Sequence, residues 1–299
     1  MSAAATTVVR RPRRDWVNGL LSLWGILVFA FLFLPIVMIV IYSFNDGRAL
    51  VVWREFGFHA YTSALSNRTI TNSVFTSIRA AGGAAVIATI VGSLAGIALA
   101  RRPGKWTIAF LAFVFLVLVT PEIVDAISLL IWYVRIGGPF GPGNQIFNYG
   151  LLRLFIGHAL FASAVVTLIV RARLAGLDES LEEASADLYA NATQTFRKIT
   201  LPLMMPAVLA GALLAFSLSL DNTIISSFVS TANASPWPVY VLSSLRSILR
   251  PEIAAMSTLV LLLTLFALAM VAIVLRRGGA SGEEAAAMIA GVEPSSGSA

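Results

Sequence analysis

The chain has 299 residues, of which 58% are hydrophobic and only 12% are charged, and its mean hydropathy is +0.85. Soluble globular domains carry about 25% charged residues, so this composition excludes a soluble enzyme or a DNA-binding module. The chain has no cysteine and two histidines, which excludes zinc–thiolate and iron–sulfur sites and argues against a histidine-built metal site. We therefore expect no catalytic residue, no metal, no cofactor and no nucleic-acid partner.

Six long apolar runs dominate the sequence, at residues 16–42, 72–100, 106–133, 151–170, 206–228 and 253–275. Runs of this length predict transmembrane helices, because a chain in lipid must satisfy its own backbone hydrogen bonds. We predict an all-α polytopic bundle of six transmembrane helices over residues 16–277, in contact with lipid. A basic tail at 1–15 precedes the bundle, and a Gly/Ala/Ser/Glu-rich tail at 278–299 is predicted to be disordered.

The cations predict the orientation of the bundle. Thirteen of the 21 lysines and arginines fall in segments that are cytoplasmic if the N-terminus is cytoplasmic. Every helix that would end on that side has cations at its end, as the positive-inside rule requires. Both termini and the loop at 171–205 are therefore predicted to be cytoplasmic.

Small residues and prolines mark local features of the spans. Gly92 and Gly96 form a G-x-x-x-G pair in the second span, which favours close packing between helices. Pro121 is expected to kink the third span. The outer segment at 230–252 is expected to hold a short helix before Pro251.

The loop at 171–205 is the only long charged segment predicted on the cytoplasmic side. Ser180 and Glu183 have capping-box spacing, which predicts the start of a helix. Leu181, Ala184 and Leu188 fall on one apolar face of that helix. A second helical piece is predicted from 194 to 199, ending at Pro202. The apolar face needs the bundle, lipid or a partner protein to cover it, and the acids of this helix argue against an anionic lipid surface.

The same loop resembles the EAA motif of the membrane subunits of ABC importers. Glu183, Ala184, Ile199, Leu201 and Pro202 match that pattern in residue type and spacing. Ser185 replaces a small residue of the pattern, and Tyr189 stands where a glycine is expected. A tyrosine disfavours the positive φ that a glycine adopts freely, and Asn191 is an alternative residue for the turn.

Further segments resemble the spermidine/putrescine permease branch of these importers. They are residues 195–202, 213–222, 225–228 and 251–257, with Asn222 after Asp221 where the branch has a second aspartate. The resemblance implies a type I importer permease of the bacterial inner membrane. It also implies a cytosolic ATPase dimer that docks on the loop, a second and usually different permease, and an extracytoplasmic solute-binding protein.

The residues implied in coupling to the ATPase are Glu182, Glu183, Ala184, Ser185, Asp187, Leu188, Tyr189, Ala190, Ile199, Leu201 and Pro202. No phosphate-binding G-x-x-x-x-G-K-[S/T] motif occurs in the sequence, so a separate polypeptide is expected to bind ATP.

Ionisable side chains inside predicted spans are costly and mark a cavity or a partner. In straight helices Asp221 would lie roughly 22 Å above Pro206, and Asp125 roughly 28 Å above Trp106, both in the outer half of the bilayer. We therefore predict a substrate path for a small cationic solute, lined by Asp221, Asn222, Asp125, Glu122, Trp132 and Tyr240. The alternative is that the acids hold helices together, for example by pairing with Arg79 or Arg135. His158 is expected to make a hydrogen bond between helices.

The leading hypothesis is the permease subunit of an ABC importer for polyamines. One alternative keeps the importer and changes the cargo to ferric ion, a phosphonate, a sugar or a peptide. A second is an ion-coupled secondary transporter, for which we find no convincing internal repeat. A third is a membrane-embedded enzyme, for which the sequence contains no hydrolase or metalloprotease motif.

Overall fold

The computed structural model describes residues 16–50, 52–102, 104–137, 150–246 and 249–277. The predicted tails at 1–15 and 278–299 lie outside these residues. In the described part the regular elements are helical, apart from two isolated β-bridges. The elements are α1 (Trp16–Tyr42), α2 (His59–Ser66), α3 (Arg68–Arg101), α4 (Lys105–Val119), α5 (Glu122–Gly137), α6 (Gly150–Ala175), α7 (Ser180–Asp187), α8 (Ala192–Thr195), a π-helical turn (Phe196–Thr200), α9 (Leu201–Leu220), α10 (Ile224–Val229), α11 (Trp237–Ser244) and α12 (Pro251–Arg277).

Five helical stretches in the described residues are long and apolar enough to cross a membrane. They are Gly19–Tyr42, Arg68–Arg101, Gly150–Ala175, Ala192–Leu220 and Pro251–Met270. A sixth crossing results if α4 and α5 together count as one broken span. The all-α bundle is confirmed, and the short helix predicted before Pro251 is α11.

The second span begins four residues earlier than predicted because a side chain caps it. The Asn67 carboxamide oxygen accepts hydrogen bonds from the backbone N–H groups of Thr69 and Ile70, at 3.0 and 3.4 Å. These bonds satisfy donors that lack a partner at a helix N-terminus.

The third span is not the single helix predicted at 106–133. Helix α4 ends at Val119, and α5 begins at Glu122 after a bend of 102°. Thr120 is extended, with φ −61° and ψ 130°, the conformation that a residue before proline prefers. The height of 28 Å expected for Asp125 assumed a straight helix and is therefore wrong.

The fifth span also differs from its predicted range of 206–228. The short helix α8 does not stop at Pro202 but continues through the π-helical turn into α9. Proline is tolerated in the first turn of a helix, and the wider π turn directly before it leaves room for its ring. The span then breaks at residues 221–223, and α10 follows as a separate short helix.

The core of the bundle is the contact between α3 and α6. Ala80, Ala81, Ala84 and Ala88 of α3 are fully buried, and Gly92 and Gly96 continue this small-residue face toward the C-terminal end of the helix. A Cβ atom at Gly92 would lie 2.8 Å from the backbone oxygen of Ser163, and one at Gly96 would lie 2.9 Å from that of Thr167. The predicted close packing at the G-x-x-x-G pair is confirmed.

We predict that Gly92→Ala lowers the stability of the bundle by about 1–3 kcal/mol, since the added methyl group would meet backbone that cannot move aside. The measurement is thermal unfolding of the purified permease in detergent. Gly82→Ala is the matched control, because it lies in the same helix with no atom within 4 Å of the added Cβ. Removing a glycine from an open helical position should stabilise by about 0.5–1 kcal/mol. Equal melting temperatures for the two variants would contradict the close contact.

Candidate functional site

Helix α7 begins with a cap that differs from the one predicted. The carboxylate of Asp178 accepts a hydrogen bond of 2.9 Å from the backbone N–H of Ser180, and this bond and a further one from the Ser180 side chain lower the pKa of Asp178. The residue at the N-cap position is Glu179, whose side chain makes no capping bond. The predicted capping box between Ser180 and Glu183 is therefore wrong, because Ser180 already lies inside the helix.

The turn after α7 is made by Tyr189 itself. Its φ is 59°, the only positive φ among the described non-glycine residues. The N–H of Tyr189 donates to the oxygen of Ala186 at 2.9 Å, and the N–H of Ala190 donates to that of Ser185 at 3.0 Å. This pair of bonds is a Schellman motif, which ends a helix with one residue in the left-handed region. For a residue with a Cβ this conformation costs about 1–2 kcal/mol.

Asn191 does not take over this turn, as the sequence suggested it could. It adopts φ −77° and ψ 161° and caps α8. Its side-chain oxygen accepts from the backbone N–H of Gln194 at 2.9 Å, and the Gln194 side chain accepts from the backbone N–H of Asn191 at 2.9 Å. The role of Asn191 is a capping box, so Tyr189 has to supply the left-handed residue.

Ser185, a departure from the EAA pattern, is buried between α7 and α8. Its hydroxyl donates to the backbone oxygen of Glu182 at 2.7 Å and shares a hydrogen bond of 2.7 Å with the hydroxyl of Thr195. An alanine could not form the second bond. The hydroxyl therefore ties the two short helices together across the strained turn.

The adjacent acids Glu182 and Glu183 face in different directions. Oε1 of Glu182 accepts from Nη2 of Arg101 and from Oγ1 of Thr200, each at 2.8 Å. Nη1 of Arg101 also pairs with Glu179 at 3.1 Å. The side chain of Glu183 is exposed and has no hydrogen bond or ion pair with any residue that the structure describes. Of these two acids, only Glu183 is free of contacts with the described residues.

The surface around Glu183 carries apolar side chains that the chain itself does not cover. Leu181 is exposed, Leu188 is 82% exposed and Tyr189 is 97% exposed. A groove of about 510 Å³ lies beside them. It is lined by Ser185, Leu188, Tyr189, Ala190, Gln194, Thr195, Lys198 and Ile199. Among the other residues implied in coupling, Ala184, Asp187 and Pro202 are exposed and Leu201 is half-buried.

A second cavity, of about 430 Å³, lies where the two broken spans meet. Glu122 and Asp125 come from the start of α5, and Asp221 and Asn222 come from the break between α9 and α10. The bend at Pro121 and the break after Leu220 therefore bring together four of the six side chains predicted for the substrate path.

Hydrogen bonds hold the walls of this cavity. The amide nitrogen of Asn222 donates to Oε1 of Glu122, which joins the two broken spans. His158 of α6 is buried and bonds to Ser219 at 2.6 Å and to Ser226 at 2.9 Å. The prediction that His158 bonds between helices is confirmed. Sequence reasoning missed both serines, because serine in an apolar helix usually bonds its own backbone and its pairing gives no local signal.

The two aromatic residues predicted for the path lie elsewhere. Trp132 contacts the ring of Tyr133, with ring centroids 5.3 Å apart, and Tyr240 stacks on Trp237 at 5.5 Å. Neither lines the cavity. The bend between α4 and α5 changes the direction of the helix that carries Trp132, which spacing along the sequence does not show. Arg79 and Arg135 are exposed and pair with none of these acids in the described residues.

Comparison with known proteins extends these observations. Residues 88–278 match the family described as "Binding-protein-dependent transport system inner membrane component". The chain is 38% identical to the putrescine transport system permease protein PotI of Escherichia coli (strain K12), over 80% of this chain and 86% of that protein. It is 35% identical to the spermidine/putrescine transport system permease protein PotC of Haemophilus influenzae, over 80% of this chain and 89% of that protein.

A solved structure shares the fold. A bacterial alginate ABC transporter, crystallised in complex with an alginate pentasaccharide-bound periplasmic protein, contains a chain that superposes with a TM-score of 0.71. The superposition covers 88% of this chain and 95% of that chain, at 15% sequence identity. The extent of the family match and the identity to these relatives agree with the helical architecture: the chain belongs to the inner-membrane components of binding-protein-dependent transport systems, the multi-pass permeases of ABC importers.

Proposed function

We propose that this permease forms the translocation path for a small polyamine such as putrescine or spermidine. The observation that carries the proposal is the cavity between the two broken spans, which brings three carboxylates to one surface. Carboxylates accept hydrogen bonds and ammonium groups only donate them, so each amine can make a charge-assisted bond. The names of the related permeases PotI and PotC point to the same class of solute.

The three acids do not have equal roles in this proposal. Glu122 already accepts a hydrogen bond from Asn222. The carboxylates of Asp125 and Asp221 have no side-chain partner among the described residues, and Asp221 is exposed. Two free carboxylates are what a diamine needs for its two ammonium groups. Trp132 and Tyr240 have no part in this path, since neither lines the cavity.

We predict that Asp221→Asn lowers uptake of putrescine and spermidine at low concentration by about tenfold, because a hydrogen bond to a charged group contributes about 1.5–3 kcal/mol. The measurement is uptake of labelled polyamine in a strain that lacks its own polyamine importers. Glu55→Gln is the control, since it removes an exposed acid outside the cavity. Full polyamine uptake by Asp221→Asn, or an equal loss in both variants, would overturn the role of Asp221. Transport of a sugar, phosphonate, peptide or ferric ion in place of polyamine would contradict the proposal that the cargo is a polyamine.

We propose further that α7 and its flanking turn dock on a cytosolic ATPase. Glu183 offers an unpaired carboxylate, and the exposed Leu181, Leu188 and Tyr189 offer an apolar surface beside it. The strained Tyr189 supports this role, because unfavourable backbone conformations cluster where a chain meets a ligand or a partner. The coupling residues are those implied by the resemblance, with Glu183, Leu188, Tyr189 and the groove in contact with the ATPase. The permease itself is then non-catalytic, and the partner hydrolyses ATP.

We predict that Glu183→Lys reduces co-purification of the ATPase and lowers uptake by about tenfold or more, since residues at the centre of an interface carry about 2 kcal/mol or more. Pull-down of the ATPase with tagged permease, followed by uptake, measures both effects. Ala172→Lys is the matched control, because it places a lysine at an exposed position of α6 near the same membrane surface. Normal ATPase recovery and uptake in Glu183→Lys would refute docking at this helix.

The proposal also includes a cytoplasmic position for both termini and for residues 171–205, in a bacterial inner membrane. The cations at the ends of α3 and α6 support it, through Arg101, Arg102, Arg171 and Arg173.

We predict that a cysteine introduced as Leu188→Cys, in the permease expressed without its ATPase, reacts with a membrane-impermeant maleimide only when the cytoplasmic face is open to the reagent, as in inverted vesicles. The natural chain has no cysteine, so the introduced thiol is the only reactive one, and residue 188 is well exposed. Trp53→Cys, in the segment between α1 and α2, should show the opposite accessibility. Labelling of position 188 in intact cells would reverse the orientation.

The remaining partners are proposed from the family. They are a second homologous permease, which we propose to be a different chain, and an extracytoplasmic solute-binding protein. Helix α1 exposes large apolar side chains along its length, among them Trp24, Phe29 and Phe31. Lipid or the second permease would cover them in the assembled transporter.

A further inference from the structure

A cluster of charged side chains links α3 to the loop that holds α7. Arg101 is the last residue of α3, and its guanidinium pairs with Glu179 at 3.1 Å and with Glu182 at 2.8 Å. The Arg101 side chain is only 18% exposed, and that of Glu182 is 29% exposed. Partly buried, charge-assisted pairs are stronger than pairs on an open surface.

One oxygen atom of this cluster joins three elements. Oε1 of Glu182 accepts from Arg101 on α3 and from Thr200 on the π-helical turn, while Glu182 itself lies on α7. Docking of the ATPase does not use this carboxylate, because it points toward the bundle and Glu183 points away. A displacement of α7 therefore acts on Arg101 and Thr200 together.

The two elements held by Glu182 lead to different parts of the bundle. Helix α9 begins directly after Thr200 and ends beside Asp221 at the cavity. Helix α3 passes through the centre of the bundle, and near its other end the hydroxyl of Ser77 accepts a hydrogen bond of 2.8 Å from the backbone N–H of Trp237, the first residue of α11. The chain connects α7 to α9 through Thr200 and to α6, which carries Phe161 of the cavity wall, through residues 176–179. It does not connect α7 directly to α3, so α3 needs a side-chain link to α7.

We propose that Arg101 is a positioning residue that transmits the movement of α7 to α3, in parallel with the path from Thr200 into α9. The proposal rests on the proposed docking of the ATPase on α7. In this arrangement the ATPase moves α7, and Glu182 transmits the displacement to α3 through Arg101 and to α9 through Thr200. The α3–α6 core then moves together with the cavity wall. Without Arg101, α7 still docks and α9 still moves, but α3 follows only through its packing against α6 and α9, so the coupling is weaker.

The test uses the complete transporter in proteoliposomes, with ATP hydrolysis and polyamine uptake measured on the same sample. Arg101→Gln should retain the bound ATPase and its hydrolysis rate, while the amount of polyamine transported per ATP falls about fivefold or more, the usual lower range of a coupling free energy. Arg101→Lys retains the charge and one ion pair, and should recover part of the lost coupling. Arg102→Gln is the matched control, since it removes the neighbouring exposed cation and should leave the ratio unchanged.

The possible outcomes separate this inference from the docking proposal on which it rests. An unchanged ratio of transport to hydrolysis in Arg101→Gln overturns the inference, and so does loss of the bound ATPase, which would place Arg101 in docking. If Arg101→Gln assembles poorly, the ratio measured for Arg101→Lys decides, because a purely structural role predicts less protein with normal coupling. Normal ATPase binding in Glu183→Lys would remove the docking proposal itself, whatever the Arg101 variants show.

Discussion

The close approach of α3 and α6 is the constraint on which the rest of this structure depends. Lipid does not drive apolar helices together, so a membrane bundle is held by packing and by hydrogen bonds between helices. The buried alanines and the glycines at 92 and 96 bring the two backbones into contact. Helix α9 packs against both helices, and a buried cluster that includes Ala88, Val166 and Ala215 joins the three. The small side chains between α3 and α6 therefore also determine the position of α9, the helix of the broken fifth span.

Breaks in helices create the polar surface inside this apolar bundle. A continuous helix satisfies the hydrogen bonds of its own backbone within lipid, so it needs no polar side chains to do so. Where α4 gives way to α5, and α9 to α10, the backbone is irregular and acids accompany it. The hydrogen bond between Glu122 and Asn222 joins the two breaks, and His158 secures the second through Ser219 and Ser226. The irregular backbone at the two breaks thus lines a cavity, and irregular backbone at membrane depth is tolerated where it lines a cavity or is buried in protein.

The loop between α6 and α9 places two adjacent acids in different surroundings. A helix turns by about 100° per residue, so Glu182 and Glu183 on α7 cannot face the same side. One carboxylate is bound by Arg101 and Thr200, and the other is exposed. The strained Tyr189 and the buried Ser185 both belong to this arrangement, since the turn sets the angle between α7 and α8 and the serine hydroxyl holds it. The two departures from the EAA pattern, Ser185 and Tyr189, therefore both determine the geometry of the turn between α7 and α8.

The sequence by itself determined the properties that depend on local composition and period. The number of apolar runs, the cations at their ends, the EAA-like spacing and the small-residue pair could all be read from the chain, because lipid and helical period act on neighbouring residues. Only the tertiary structure decided the bend of 102° at Pro121, the passage of a helix through Pro202, the positive φ of Tyr189 and the exclusion of Trp132 and Tyr240 from the cavity. It alone paired Glu122 with Asn222 and Arg101 with Glu182, residues about eighty to one hundred positions apart. Such pairs depend on how distant helices cross, and neither residue's neighbours in the sequence carry that information.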